Sequence, residues 1–174
     1  MVLLFRFIGA LIVGACQPRI APFDETIVRM RVWPNDLDLN MHASSGRYIS
    51  FMDAARVAML VRFGAFRKVI ARGWRPVVGG TMITYRRSLF LFERMVIRSR
   101  IICWDEKWFY MEHTIERTNG KRQGELICKA RVRATFISRD GTVPPRELAR
   151  VAGHDADSPP LPDWVQHWRQ ADPL

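Results

Sequence analysis

Residues 36–48 read DLDLNMHASSGRY. Asp36, Asp38 and His42 can exchange protons, and Ser44, Ser45 and Gly46 stand where a long apolar segment begins. Two readings fit this cluster. In one, the aspartates, Asn40 and the serines form a turn and a helix N-cap. In the other, a carboxylate is aimed at a helix start, where backbone N–H groups carry the positive end of the dipole. Such donors stabilise negative charge developing on a reacting oxygen. Gly46 lacks a Cβ, so a reacting group could approach the backbone closely there. Of the two acids, Asp36 reads as a solvated loop residue and is kept only as a reserve candidate.

Other residues able to do chemistry are scattered. Asp53 sits within the apolar segment, with Arg56 three residues on as a simple ion-pair partner. A lone acid on so apolar a helix is costly unless paired. His113 lies on the apolar face of a strand and reads as a satisfied core histidine. Arg86-Arg87 could meet a phosphate near a site mouth or be an ordinary solvated strand end. Cys16, Cys103 and Cys128 lie far apart with no CxxC pair, which gives neither a zinc site nor a disulfide framework. No His/Cys/Asp set has metal-ligand spacing, so no metal or other cofactor is expected.

The elements that must carry these residues follow from hydrophobic spacing. Thr26 to Trp33 alternates, as a half-buried strand does. From Gly46 to about Phe66, Tyr48, Met52, Ala55, Met59, Phe63 and Phe66 follow helical spacing. Ile49, Phe51, Ala58 and Leu60 extend that apolar surface around most of the helix, which asks to be enclosed by something larger than a single neighbour. Four strands come next: Val77 to Arg86, Arg94 to Ile102, Trp108 to Glu116 and Leu126 to Ile137. Gly79-Gly80 suggests a bulge or a close backbone approach, and Asn119-Gly120 a hairpin. Two short helices, Pro145 to Val151 and Asp163 to Gln170, complete the chain. A sheet with one polar face must cover its other face, and only the long helix is large enough. The expected fold is α+β: a curved antiparallel sheet wrapped around one central helix, the hotdog architecture. It implies an apolar N-terminal segment at 1–24, a main domain at 25–140 and a tail at 141–174.

Composition narrows the partners. The 174 residues fit one domain, and 27 Lys+Arg against 17 Asp+Glu leave a net charge of +10. A basic surface attracts phosphates on a substrate, a nucleic acid or an anionic membrane. Arg29, Arg31, Arg98, Arg100, Lys129, Arg131 and Arg133 could all lie on the outer sheet face as a solvated surface. Aromatic residues are not interleaved with arginines in any RNA-binding motif, which argues against nucleic acid. The opening MVLLFRFIGALIVGAC is too short, and too interrupted by Arg6, to span a membrane, which takes about 20 apolar residues. It reads as an interfacial anchor, as a helix docked on its own domain, or as a lipoprotein signal ending at Cys16. The expected location is cytoplasmic, with peripheral membrane contact an option and export through Cys16 a lesser one.

The segment Asp38-x-x-x-His42, ahead of a helix carrying Tyr48 and Asp53-x-Ala-Arg56, resembles the hotdog thioesterases of the 4-hydroxybenzoyl-CoA thioesterase type. RVWPNDLDLNMH, GRY, AAR, RRSL, WDEKWFY and PPLPDWVQHW resemble, within that family, the branch of thioesterase superfamily member six. The likeness runs from about residue 25 to 170. It implies hydrolysis of an acyl-CoA or related acyl thioester by a homodimer or larger hotdog oligomer. Asp38 would be base or nucleophile, with His42 and Asp53 as further catalytic candidates. Ser44, Ser45, Gly46, Arg47 and Tyr48 would position the substrate and its oxyanion, and Arg86 and Arg87 would meet coenzyme A phosphates. An Asn-Asn pair usual in the family is Ser44-Ser45 here. The competing expectation is therefore a non-catalytic module that binds acyl thioesters or lipid at a membrane surface.

Overall fold

The computed structural model describes residues 2–155 and 157–171, with side chains from residue 4 onward. An N-terminal helix α1 (Val2–Cys16) precedes strand β1 (Thr26–Arg31) and the central helix α2 (Ser45–Arg62). A short helix α3 (Phe66–Ala71) leads to β2 (Arg75–Tyr85), β3 (Arg94–Trp104), β4 (Phe109–Arg117) and β5 (Leu126–Ser138). Strand β6 (Gly141–Val143) and helices α4 (Pro145–Ala152) and α5 (Asp163–Ala171) follow. The sheet order is β1-β3-β4-β5-β2, all antiparallel, with β6 paired to the end of β5. This is the hotdog fold expected from the sequence.

The apolar girth of α2 now has its reason. Phe51, Met52, Ala54, Ala55 and Ala58 are completely buried between the sheet and α1. Each large side chain so buried contributes about 1.5–3 kcal/mol. Of the N-terminal alternatives, α1 is docked on its own domain. At the crossing a Cβ on Gly14 would stand 2.9 Å from the Ala58 carbonyl oxygen and 2.9 Å from the Val61 Cβ. The outer side of α1 leaves Leu4, Phe5, Ile8 and Ile12 exposed. Among the described residues no helix is long and apolar enough to cross a membrane.

Several boundaries differ from the expectation. The central helix stops at Arg62 rather than near Phe66 because Gly64 adopts φ +78°, and the chain restarts as α3. Strands β3 and β5 are longer than expected, and α3 and β6 were not anticipated. The Gly79-Gly80 pair serves both suggested purposes. The β2–β5 register slips between Val78 and Gly80, and a Cβ on Gly79 would lie 2.3 Å from the Trp108 ring.

The outer sheet face is also less open than its charges suggest. Helix α5 lies over it, with Val165 buried and Trp164 and Trp168 stacked edge-on against Tyr110. Arg131 faces the Trp164 ring at 4.5 Å. Arg133 corrects the expectation of a solvated side chain: it is 2% exposed, held between Trp108 at 5.4 Å and Trp168 at 5.2 Å. A guanidinium against indole faces retains electrostatic stabilisation after leaving water.

Candidate functional site

The segment joining β1 to α2 is folded back on itself. After a 3-10 turn at Pro34–Asp36, the Asp38 N–H donates to the His42 carbonyl at 2.9 Å, and the Met41 N–H to the Asp38 carbonyl at 3.0 Å. The Asp38 carboxylate accepts the Asn40 N–H at 2.8 Å, the local turn bond that aspartate favours. Its second oxygen stands 3.2 Å from His42 Nδ1, near enough for an ion pair but not aligned as a hydrogen bond. Both side chains are about one-third exposed (31% and 30%), so a substrate can reach them. The His42 ring rests against Phe90, 6.4 Å between ring centres.

Asp36 departs from expectation. It is fully buried and paired with Arg6 of α1. The sequence held two aspartates two residues apart, and the structure separates them into one structural and one accessible acid.

The helix start matters most for chemistry. Ser44 occupies the N-cap position, yet its hydroxyl makes no capping bond. The Arg47 N–H is taken by the Ser44 carbonyl at 2.9 Å. Among the described residues this leaves the N–H groups of Ser45 and Gly46 without an acceptor. Both residues are exposed, and a Cβ at Gly46 would meet nothing within 4 Å. Two outward-pointing donors with open space in front are what a developing oxyanion needs.

The remaining candidates divide by environment. Tyr48 is buried, and its hydroxyl accepts the Leu89 N–H at 3.1 Å while Leu89 in turn accepts the Ala43 N–H at 2.8 Å. Burial pushes the Tyr48 phenol up to about 12. Tyr48 thus ties the start of α2 to the segment after β2. Tyr85, at the end of β2, donates to the Ser45 carbonyl at 3.0 Å. Arg86 follows it, exposed and without a side-chain partner among the described residues, whereas Arg87 pairs with Glu125 at 3.1 Å.

Asp53 and Arg56 are ion-paired, as their spacing suggested, on the face of α2 that borders a cavity of about 240 Å³. Its walls are apolar: Val57 and Leu60 from α2, Val77 from β2, and Ile101, Met111 and Phe136 from the sheet. Sequence reasoning had not found this cavity, because its walls come from segments far apart in the chain. Behind it, His113 is fully buried, with Nδ1 2.7 Å from Ser99 Oγ and Nε2 3.3 Å from the Arg56 guanidinium. Arginine can only donate, so Nε2 accepts and the proton sits on Nδ1. Burial, then the neighbouring Arg56 charge, holds the imidazole down at about 3. Among the described residues no group of three or more metal-ligating side chains is assembled.

Comparison with known proteins shows the family and the fold. Residues 32–169 match the model of the thioesterase-like superfamily. The protein THEM6 of Xenopus laevis is 33% identical over 168 residues, covering 92% of this chain and 76% of its own. Two solved structures share the fold at lower identity. One is the probable thioesterase YbaW of Escherichia coli, with a TM-score of 0.63 at 22% identity over 72% of this chain and 94% of that one. The other is the 4-hydroxybenzoyl-CoA thioesterase of Pseudomonas sp. strain CBS-3, with a TM-score of 0.66 at 18% identity over 73% and 98%. With a matching family model across most of its length and a relative of this similarity, the chain belongs to the thioesterase-like superfamily.

Proposed function

We propose that this protein hydrolyses acyl-CoA or a closely related acyl thioester, with Asp38 as the acting carboxylate. The observation that carries the reading is the uncapped start of α2. The open N–H groups of Ser45 and Gly46 lie at the end of a loop that also presents Asp38. A thioester carbonyl seated on those donors gains stabilisation as its oxygen becomes negative. Asp38 then either draws a proton from a water that attacks the carbonyl carbon, or attacks that carbon itself to form a mixed anhydride that a water later hydrolyses. On either route the C–S bond breaks and coenzyme A leaves as the thiol, taking up a proton. His42 orients the carboxylate, and Arg86 is the better placed of the two arginines to meet a coenzyme A phosphate.

The apolar cavity would take the acyl group, but it begins near Asp53. Eight residues of helix separate Asp53 from Ser45, about 12 Å. A two-fold dimer closes this gap. Strand β2 is a sheet edge with Val77, Val78, Met82 and Tyr85 exposed, a surface that calls for a partner. Antiparallel pairing of two β2 strands about Gly80, the midpoint of Arg75–Tyr85, sets Tyr85 of one copy beside Arg75 of the other. Tyr85 touches Ser45 and Pro76–Val78 wall the cavity, so one copy's Asp38 loop would face the other's cavity.

Thiol release from short, long and aromatic acyl-CoAs tests this, beside Asp38→Asn. Turnover that falls at least about 100-fold in the variant, with fold and assembly kept, is the expected result. Undiminished turnover in Asp38→Asn would remove Asp38 from the mechanism. A second reading, an acyl-thioester or lipid binder, is favoured by Ser44-Ser45, where the unbonded Ser44 hydroxyl replaces an amide donor. Tight binding of acyl-CoA with no turnover by the unaltered protein would establish it.

A further inference from the structure

Helix α1 reaches the loop that carries Asp38 through the side chain of Arg6. Arg6 Nη1 donates to Asp36 Oδ1 at 3.0 Å and its Nη2 to Oδ2, while Nη2 also donates to the Arg31 carbonyl at 3.2 Å. The guanidinium lies over the Phe51 ring of α2 at 4.4 Å. Asp36 has no access to solvent, and Arg6 is only 10% exposed. Charges so placed must satisfy one another, because neither can turn to water.

What Asp36 holds in turn gives the pair its interest. Its carboxylate also accepts the Trp33 N–H at 2.8 Å and stands 3.9 Å from Arg47 Nε. Its backbone carbonyl accepts the Ser44 N–H at 2.9 Å, directly before the two open donors. The Arg47 side chain, in the first turn of α2, donates to the neighbouring Asn35 carbonyl at 2.9 Å. Residue 36 therefore joins α1, the exit of β1, the residue before the helix start and the first turn of that helix. Asp38 is two residues further along the same backbone.

We propose that the Arg6–Asp36 pair is a positioning device for the proposed site. Helix α1, through Arg6, fixes residues 36–44 against the start of α2, so that the Asp38 carboxylate and the Ser45 and Gly46 N–H groups face one point. This rests on the hydrolase reading above. Neither residue touches substrate. Their effect is on the placement of groups that do, and a misplacement of about 1 Å costs roughly 100-fold in rate.

The test uses the full chain in five forms: unaltered, Arg6→Gln, Arg6→Lys, the double variant Arg6→Gln with Asp36→Asn, and Asp38→Asn. The readouts are kcat and KM for the best acyl-CoA, and amide hydrogen exchange across the molecule. The expected result for Arg6→Gln is a kcat lower by roughly 10- to 100-fold with KM changed less than about threefold. Exchange should quicken in residues 36–47 while the sheet stays protected. Arg6→Lys keeps the charge but not the two-pronged geometry, and should restore kcat in part. The double variant should be no slower than Arg6→Gln, since both changes cut the same link.

Unchanged kcat in Arg6→Gln, with Asp38→Asn inactive, overturns the proposal and leaves the hydrolase reading standing. So does exchange that quickens across the whole sheet, or a kcat that Arg6→Lys does not restore at all, because either marks a general fold anchor. Full turnover in Asp38→Asn sinks the hydrolase reading itself, and the positioning role with it.

Discussion

The buried His113 makes acid sensitivity calculable. Its imidazole is held neutral at about 3, while an unfolded chain's histidine takes a proton near 6.5. As pH falls below 6.5 the unfolded state binds a proton that the folded state refuses, so stability is lost on acidification. Integrated from pH 7 to pH 5, this linkage amounts to about 2 kcal/mol. Protonation in place would set an imidazolium N–H against the Arg56 guanidinium, two cationic donors facing each other across 3.3 Å. Glu112 titrates lower and does not blur this window. Burial pushes its carboxyl up, but hydrogen bonds from Lys129, Arg100 and Arg131 outweigh that and hold it below the usual range. The stability it supplies is present above that range and is lost only as pH falls through it. Urea unfolding at pH 7, 6 and 5 should therefore show the loss in the unaltered protein. His113→Gln keeps a donor for Ser99 and an acceptor for Arg56 without a titrating ring, and should lose about 2 kcal/mol less across the same interval. An equal loss in both proteins would refute the reasoning.

Other perturbations read out separate parts of the fold. Gly14→Val forces a side chain into the Ala58 backbone, which cannot yield. It should cost about 1–3 kcal/mol despite better helix propensity, measured by urea midpoint. Tyr48→Phe leaves the buried Leu89 N–H without its acceptor and should cost about 1–3 kcal/mol by the same measurement. Native protein should take up one maleimide, at exposed Cys16. Cys103 and Cys128 are buried, with thiols pushed by burial up to about 11 and about 12, and should react only after unfolding. Mass spectrometry counts the adducts.

Strands β4 and β5 were legible because a half-buried strand repeats every second residue. Their inward sets run across two buried clusters, Ile115, Cys128 and Ala130 in one, Phe109, Met111, Val132, Ala134 and Phe136 in the other. The central helix was legible from its apolar spacing, and its all-round greasiness called for a sheet to wrap it; that α1 covers it as well was not foreseen. The burial of Asp36 was not legible, and it read as a solvated loop residue. Asp36 and Asp38 both precede the same helix, and only Arg6, thirty residues earlier, decides which acid is buried. Arg133 has the spacing of Lys129 and Arg131, but Trp168 of a helix far along the chain covers it alone of the three. Long-range contacts made these distinctions, and local pattern does not record them.

The order of the sheet also bears on how the protein is made. Strand β2 pairs with β5, which is synthesised after β3 and β4. While the chain grows from its N-terminus, β2 has both edges open until Leu126–Ser138 has emerged. During that interval its exposed Val77, Val78 and Met82 can meet the same strand of a neighbouring nascent chain on one messenger RNA. If two copies pair through β2 as proposed above, that pairing need not wait for either sheet to be complete. Assembly on the ribosome would then guard the edge that a lone finished subunit leaves bare.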